Sequence, residues 1–420
     1  MTSSINYIVS LYISLWASFN YQHLAKLPNT PTVERKYPFV RYDYNQVYKP
    51  QQGKAFSHFY QALDEYLQDK RRKVNIMHIG DSHLQADFLS DQVRKHFKYQ
   101  PHFGLAGRGY VFPHSMAKSY DPHTYKTTYS GKWSGSWATN FAKHASWGIS
   151  GMVASTYDQN ARFTINPNRQ GHKYSINRVK VFYNTRNRSS FQVKLITTHE
   201  VLSPQRIVAD GYVEFLLKHP VNKVTIAMNK NRPGQNSFVL EGVSLENNDK
   251  GVIYHSAGAN GATVKSFLRS PRVVNQVKSI QPDLVIISLG TNDAYTHRFN
   301  AQQFKRDYSI LIGRIKRAAP KASILLTTPG DCLYRGRKNY SNNYAARKIF
   351  ELAEEMDCAV WDIYTIMGGL GSIKKWGRYK LSSRDYIHLS GKGYRLQGDL
   401  LYQALIQDYR MHALKMVDMN

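Results

Sequence analysis

Val74-Asn75-Ile76-Met77-His78-Ile79-Gly80-Asp81-Ser82-His83 is the stretch on which the fold turns. It reads as a short apolar strand that stops at a Gly-Asp-Ser turn, followed by a helix-like run from Leu84 to Phe97. A serine on a glycine turn at the carboxyl end of a buried strand is well placed to act as a nucleophile. Its hydroxyl stands at the sheet edge, where the crevice of an open α/β sheet lies. A helix starting there aims its N–H groups and positive dipole end at the same spot. Taken alone, the tripeptide equally describes a turn serine that caps a helix. What lies downstream decides between the two.

After Asn248 the chain alternates strand and helix. Gly251 to His255 reads as a strand leading into Ser256-Ala257-Gly258-Ala259-Asn260-Gly261-Ala262-Thr263, a turn that opens a helix. Asp283 to Leu289 is almost continuously apolar, as in a strand covered on both faces, and ends at Gly290-Thr291-Asn292-Asp293. A helix (Phe304 to Ala318), a strand (Ser323 to Thr327), a helix (Tyr344 to Met356) and a strand (Ala359 to Ile363) follow. Asp385-Tyr386-Ile387-His388 then precedes a closing helix to about Ile406. Such alternation means parallel pairing with right-handed crossovers.

Between Ser115 and Asn248 the texture is different. Runs such as Arg178 to Tyr183, Phe191 to Ile196 and Lys223 to Met228 are apolar at every second place, the pattern of strands with one buried face. Many such runs at short spacing predict a β-sandwich. The expected organisation is an α/β, doubly wound, flavodoxin-like parallel-sheet domain in two parts, 56–114 and 249–420, around an inserted β-sandwich at 115–248. Residues 26–55, with four prolines, read as an irregular lead. The glycine-rich stretch Phe103 to Val111 lacks the strand-then-helix setting of a phosphate loop and reads as a loop walling the cleft. Trp133, Trp137 and Trp147 open the inserted block; core packing is their commoner use, a sugar platform the rarer one.

The chain has 420 residues, and Lys+Arg 57 against Asp+Glu 29 gives a net charge of +28. Such an excess favours anionic partners: a wall polymer, a membrane surface or nucleic acid. No nucleic-acid-binding motif is visible, so nucleic acid is the weaker candidate. Two cysteines, Cys332 and Cys358, make neither a disulfide framework nor a zinc site; a single bridge stays open. No metal or cofactor is called for by any pattern. Residues 1–25 hold an apolar run, Ile5 to Phe19, too short for a transmembrane helix. With Ala17 or Ala25 near a cleavage point it resembles a signal peptide, although no Lys or Arg precedes Lys26. Export to the periplasm or cell surface is the expectation; a buried N-terminal helix is the alternative.

Four segments are thus expected where strand ends gather: Ser82, Gly261, Asn292, and Asp385 with His388. Acyl transfer needs such parts. A serine hydroxyl is a weak nucleophile until a base takes its proton, and His388 is the candidate base. Asp385, three residues away, would fix the histidine tautomer and favour the imidazolium. The Ser82 and Gly261 N–H groups and the Asn292 side-chain amide could hold the oxyanion. These motifs, in this order, resemble the SGNH (GDSL-like) hydrolase superfamily, over about residues 74–113 and 250–406. The resemblance implies the same roles for the same five residues and no cofactor. His83-Leu84-Gln85-Ala86-Asp87 and Phe103 to Gly109, followed by a β-insert, are similar to bacterial peptidoglycan O-acetylesterases, whose insert resembles a carbohydrate-binding module. The expected function is a serine esterase that removes O-acetyl groups from a carbohydrate, with an acetylated wall glycan as substrate. The rivals are an O-acetyltransferase using the same site, a lipase or thioesterase, and a glycan-binding protein with a dead site. Oligomeric state is left open.

Overall fold

The computed structural model describes residues 26–30, 32–51 and 53–418. The apolar segment at 5–19 and the alanines at 17 and 25 lie outside the described residues. The core is a six-stranded sheet made of β1 (Val47–Tyr48), β2 (Lys73–Gly80), β3 (Gly251–Gly258), β4 (Leu284–Ser288), β5 (Ser323–Thr327) and β6 (Ala359–Trp361). Their spatial order is β1-β6-β5-β4-β2-β3. Strands β2 to β6 are parallel, and β1 adds an antiparallel edge. Among the parallel strands this is the flavodoxin-like order, with its reversal between β2 and β4. The edge strand comes from the lead segment, which also holds a 3-10 turn at Tyr42–Tyr44.

The apolar strands lie where their composition demands. Ile79, Val285 and Ile287 face one core, and Ile76, Leu284 and Ile286 the other. Each such side chain, fully buried, contributes about 1.5–3 kcal/mol. Helices α1 (Ser57–Leu67), α3 (Phe88–Tyr99) and α11 (Gly391–Asp418) cover the second face. Helices α4 (Val264–Leu268), α5 (Val273–Ile280), α7 (Ala301–Ala318) and α8 (Ser341–Met356) cover the first. Among the described residues no helix is long and apolar enough to cross a membrane.

The inserted block holds two five-stranded antiparallel sheets whose inner residues, including Phe163, Val193, Val181 and Leu245, share one core. That core is continuous with the first face of the central sheet. Trp147 is buried against Ala138 and Val153, and Trp133 packs edge-on to Phe163 at 5.8 Å, so both serve packing.

Two expectations need correction. The stretch 103–111 is not a loop walling the cleft: Gly107–Val111 is a buried strand paired with Gly242–Glu246. The inserted sheets therefore begin before residue 115. Gly107 has φ +126°, and a Cβ there would lie 2.5 Å from the Glu246 Cα, which explains the glycine. The helix after Ser82 is not continuous. One turn, α2 (Ser82–Gln85), breaks at Asp87, whose φ is +66°, before α3 begins. The two cysteines are both free and buried.

Asp87 accounts for its own strained conformation. Its carboxylate accepts hydrogen bonds from the Arg94 and Arg108 guanidiniums, each at 2.6 Å, and from the Thr124 and Ser90 hydroxyls. All three charged groups are buried. Burial alone would raise the Asp87 pKa, but Arg108 and Arg94 outweigh it and bring it to about 2. The cluster ties α3 to strand 107–111 and so to the inserted sheets.

Candidate active site

Gly80, Gly258 and Ser288 lie level with one another at the carboxyl ends of β2, β3 and β4. A Cβ at Gly80 would lie 2.9 Å from the Ser288 carbonyl oxygen, and one at Gly258 would lie 2.4 Å from the Gln85 nitrogen. The glycines let α2 seat directly on the strand ends. Asp81 caps α2, its Oδ1 accepting from the His83 N–H at 2.9 Å. Ser82, half-buried, thereby stands at the crevice beside the strand-order reversal.

Ser82 Oγ lies 2.9 Å from His388 Nε2. His388 Nδ1 lies 2.7 Å from Asp385 Oδ2, while Asp385 Oδ1 accepts the Ile387 and His388 N–H groups at 2.9 and 3.0 Å. Partial burial would raise the Asp385 pKa; the bonds from His388 and Ile387 outweigh it and lower it, so the carboxylate is ionised beside the imidazole. With Nδ1–H held by Asp385, Nε2 is left to accept the serine proton. Three of the five residues picked from sequence are therefore in direct contact across 306 positions of chain.

Gly261 and Asn292 stand differently. Gly261 is exposed, with φ +74°, in a turn whose Ala259 N–H donates to the Gly80 carbonyl at 3.2 Å and whose Asn260 N–H donates to Gln85 Oε1 at 2.8 Å. Among the described residues, the Ser82 and Gly261 N–H groups meet no protein acceptor. The Asn292 amide does: it donates to Asp81 Oδ2 at 3.1 Å and to the Ala262 carbonyl at 3.0 Å. Both its hydrogens are thus engaged, and donating to an oxyanion means giving up one of these bonds. Asn292 also ties the Gly261 turn to the Ser82 turn. Asp293 accepts from the Val264 N–H, fixing the start of α4.

Two further residues, Gln85 and His83, support the site although the sequence pattern alone assigns them no role. Gln85 is buried and bridges Asn260 to Ser119, whose hydroxyl accepts from its amide at 2.9 Å. His83 lies against His388, with ring centroids 5.2 Å apart, and its Nδ1 faces the Tyr394 hydroxyl at 3.0 Å. Burial lowers the His83 pKa and keeps it neutral beside the base. Beneath them lies a cavity of about 40 Å³ bounded by His83, Ser288, Asp331 and Ile387. Among the described residues, no group of three or more His, Cys, Asp and Glu side chains is placed to hold a metal ion.

Residues 231–396 match the model of the GDSL-like lipase/acylhydrolase family. That span holds Gly261, Asn292, Asp385 and His388 but not Ser82, which the inserted sheets separate from it. No curated protein matches the chain. The solved structure of a peptidoglycan O-acetylesterase superposes with a TM-score of 0.70 at 21% identity, covering 84% of this chain and 96% of that one. A lipase/acylhydrolase from Enterococcus faecalis, at 23% identity, covers 38% of this chain and 77% of its own with a TM-score of 0.31. An acetyl xylan esterase, at 22%, covers 37% and 80% with a TM-score of 0.30. The family match across the chain's second part and the shared fold together support a carboxylic ester hydrolase of SGNH type that resembles O-acetylesterases.

Proposed function

We propose that Ser82, His388 and Asp385 are the catalytic triad of an esterase that removes O-acetyl groups from a carbohydrate, with acetylated wall glycan as substrate. The observation that carries this reading is the unbroken relay from Ser82 Oγ to His388 Nε2 at 2.9 Å and from His388 Nδ1 to Asp385 at 2.7 Å. Ser82 Oγ attacks the acetyl carbonyl carbon as its proton passes to His388 Nε2. The tetrahedral oxyanion lies against the free Ser82 and Gly261 N–H groups, and Asn292 turns one amide hydrogen to it. Collapse expels the sugar oxygen, which takes the proton from His388. Water then gives a proton to His388 and attacks the acetyl-Ser82. Acetate leaves, and the serine regains its hydrogen. The substrate class is supported by the peptidoglycan O-acetylesterase whose fold this chain shares over most of its length. A wall substrate places the enzyme outside the cytoplasm.

Acetate release from O-acetylated peptidoglycan tests this reading. Wild type is expected to free acetate without a glycan acceptor, and Ser82→Ala to free none above background. Retention of more than a tenth of the activity by Ser82→Ala would remove the nucleophile from the scheme.

Asn292→Ala separates the oxyanion role from binding. Loss of one such donor costs about 3 kcal/mol, so kcat is expected to fall by about 10²–10³. KM should change little, because the bond strengthens only as charge develops. A change confined to KM would show that Asn292 merely shapes the pocket.

A further inference from the structure

The rim beside His388 carries charge that the triad does not use. The hairpin at 333–338 pairs Leu333 with Lys338 and Tyr334 with Arg337. The Leu333 N–H donates to the Tyr386 carbonyl at 2.9 Å, two residues before the base. At its other end the Asn339 amide donates to the Ala294 carbonyl at 3.2 Å, where α6 (Thr291–Ala294), the turn bearing Asn292, stops. The hairpin therefore joins the two loops that bring His388 and Asn292 to the site. Its outer residues Arg335, Arg337 and Lys338 are exposed.

After α9 (Ile363–Ile366), helix α10 (Ile373–Arg378) extends the same surface. It buries Ile373 and Trp376 and leaves Lys374 and Arg378 in solvent. A Cβ at Gly377 would lie 2.5 Å from the Tyr386 ring, and one at Gly371 would lie 3.1 Å from Lys338 Cε, so hairpin, helix and catalytic loop are contiguous. From 363 to 384 the chain contains no Asp or Glu. Two neighbouring carboxylates are committed: Asp385 to His388, and buried Asp331 to the Ile373 N–H. Some cations elsewhere are matched, as Lys305 is by Glu351 and Glu355 and Arg71 by Asp283.

Aromatic rings run along the same edge. Tyr334 meets Tyr295 and His297 edge-on at 4.9 and 4.6 Å, and the Arg335 guanidinium lies over the Tyr334 ring at 5.6 Å. Tyr340, just past the hairpin, is 62% exposed. Flat rings beside unpaired guanidiniums suit a polymer with sugar faces and anionic side groups: the rings cover the former, and planar guanidiniums pair with carboxylate or phosphate.

We propose that this rim binds anionic groups, carboxylate or phosphate, on the acetylated glycan and so holds the ester over Ser82. The inference rests on the esterase reading and adds that the substrate is acidic. The test compares wild type with Arg335→Gln/Arg337→Gln/Lys338→Gln on four substrates: 4-nitrophenyl acetate, native O-acetylated wall polymer, polymer with its carboxylates amidated by carbodiimide, and polymer stripped of phosphate with hydrofluoric acid. Both proteins should cleave 4-nitrophenyl acetate equally. On native polymer at low salt the triple variant should lose about tenfold in kcat/KM, mostly in KM, and most of the salt dependence. Wild type should fall to the variant's level on amidated polymer if carboxylates are recognised, and on stripped polymer if phosphates are. Equal rates of wild type on native, amidated and stripped polymer, or of variant and wild type on native polymer, would overturn the proposal. Failure of wild type on 4-nitrophenyl acetate would instead sink the esterase reading.

Discussion

Replacement of His388 by alanine is expected to lower kcat for acetyl-ester hydrolysis at pH 7 by about 10⁴–10⁶-fold, the loss seen when the base of a serine triad is removed. Ser82 Oγ has His388 Nε2 as its hydrogen-bond partner, and among the described residues no other base touches it. Asp385→Asn should cost about 10⁴-fold, because an amide can donate to Nδ1 and so favour the tautomer that carries its proton on Nε2. The double variant should lose little more than His388→Ala, since the two residues act as one unit. Neither change should lower thermal stability by more than a degree or two. Both side chains lie at the surface, 37% and 44% exposed, outside the packed cores. Steady-state rates with 4-nitrophenyl acetate check this, and a loss below tenfold for His388→Ala would exclude it as the base.

The largest effect on stability is expected at Asp87. Asp87→Ala leaves Arg94 and Arg108 buried without their shared carboxylate, and breaking a buried pair in this way costs about 3–5 kcal/mol. The denaturation midpoint, by heat or urea, should fall accordingly. The pH dependence has a definite sign. The folded pKa of Asp87, about 2, lies below the ordinary carboxylate value of 3.8. Its contribution is therefore complete above about pH 4 and is lost as pH falls towards 2. Wild type should lose stability faster than Asp87→Asn across that window. Parallel curves for the two proteins would show that the carboxylate is not selectively stabilised by its arginines.

The same residue marks where sequence reading stops. Leu84 to Phe97 keeps an apolar spacing that looks like one helix, because the break at Asp87 leaves that spacing intact. What allows it is a left-handed residue held by Arg94, seven residues on, and by Arg108 from another strand. No local pattern carries that information. Strands β4 and β5 were legible for the opposite reason: burial on both faces leaves a continuous apolar run whatever the neighbours are. Gly107 to Val111 looks like a loop in the sequence because its glycines serve close approach of the Glu246 and Tyr254 backbones rather than a turn. The hairpin at 333–338 has two-residue strands, too short to show alternation. Ser82, Asp385 and His388 could be picked out because acyl-transfer chemistry restricts residue type at each strand end. The engagement of the Asn292 amide by Asp81 and Ala262 could not, since both acceptors are set by tertiary packing.

Covalent labelling by a serine-directed fluorophosphonate, followed by peptide mapping, addresses the nucleophile without any assumption about substrate. The relay predicts a single adduct, on the Ser82 peptide, formed by wild type and essentially absent from His388→Ala. An adduct on another serine, or equal labelling of Ser82 in the two proteins, would contradict the claim that His388 activates Ser82.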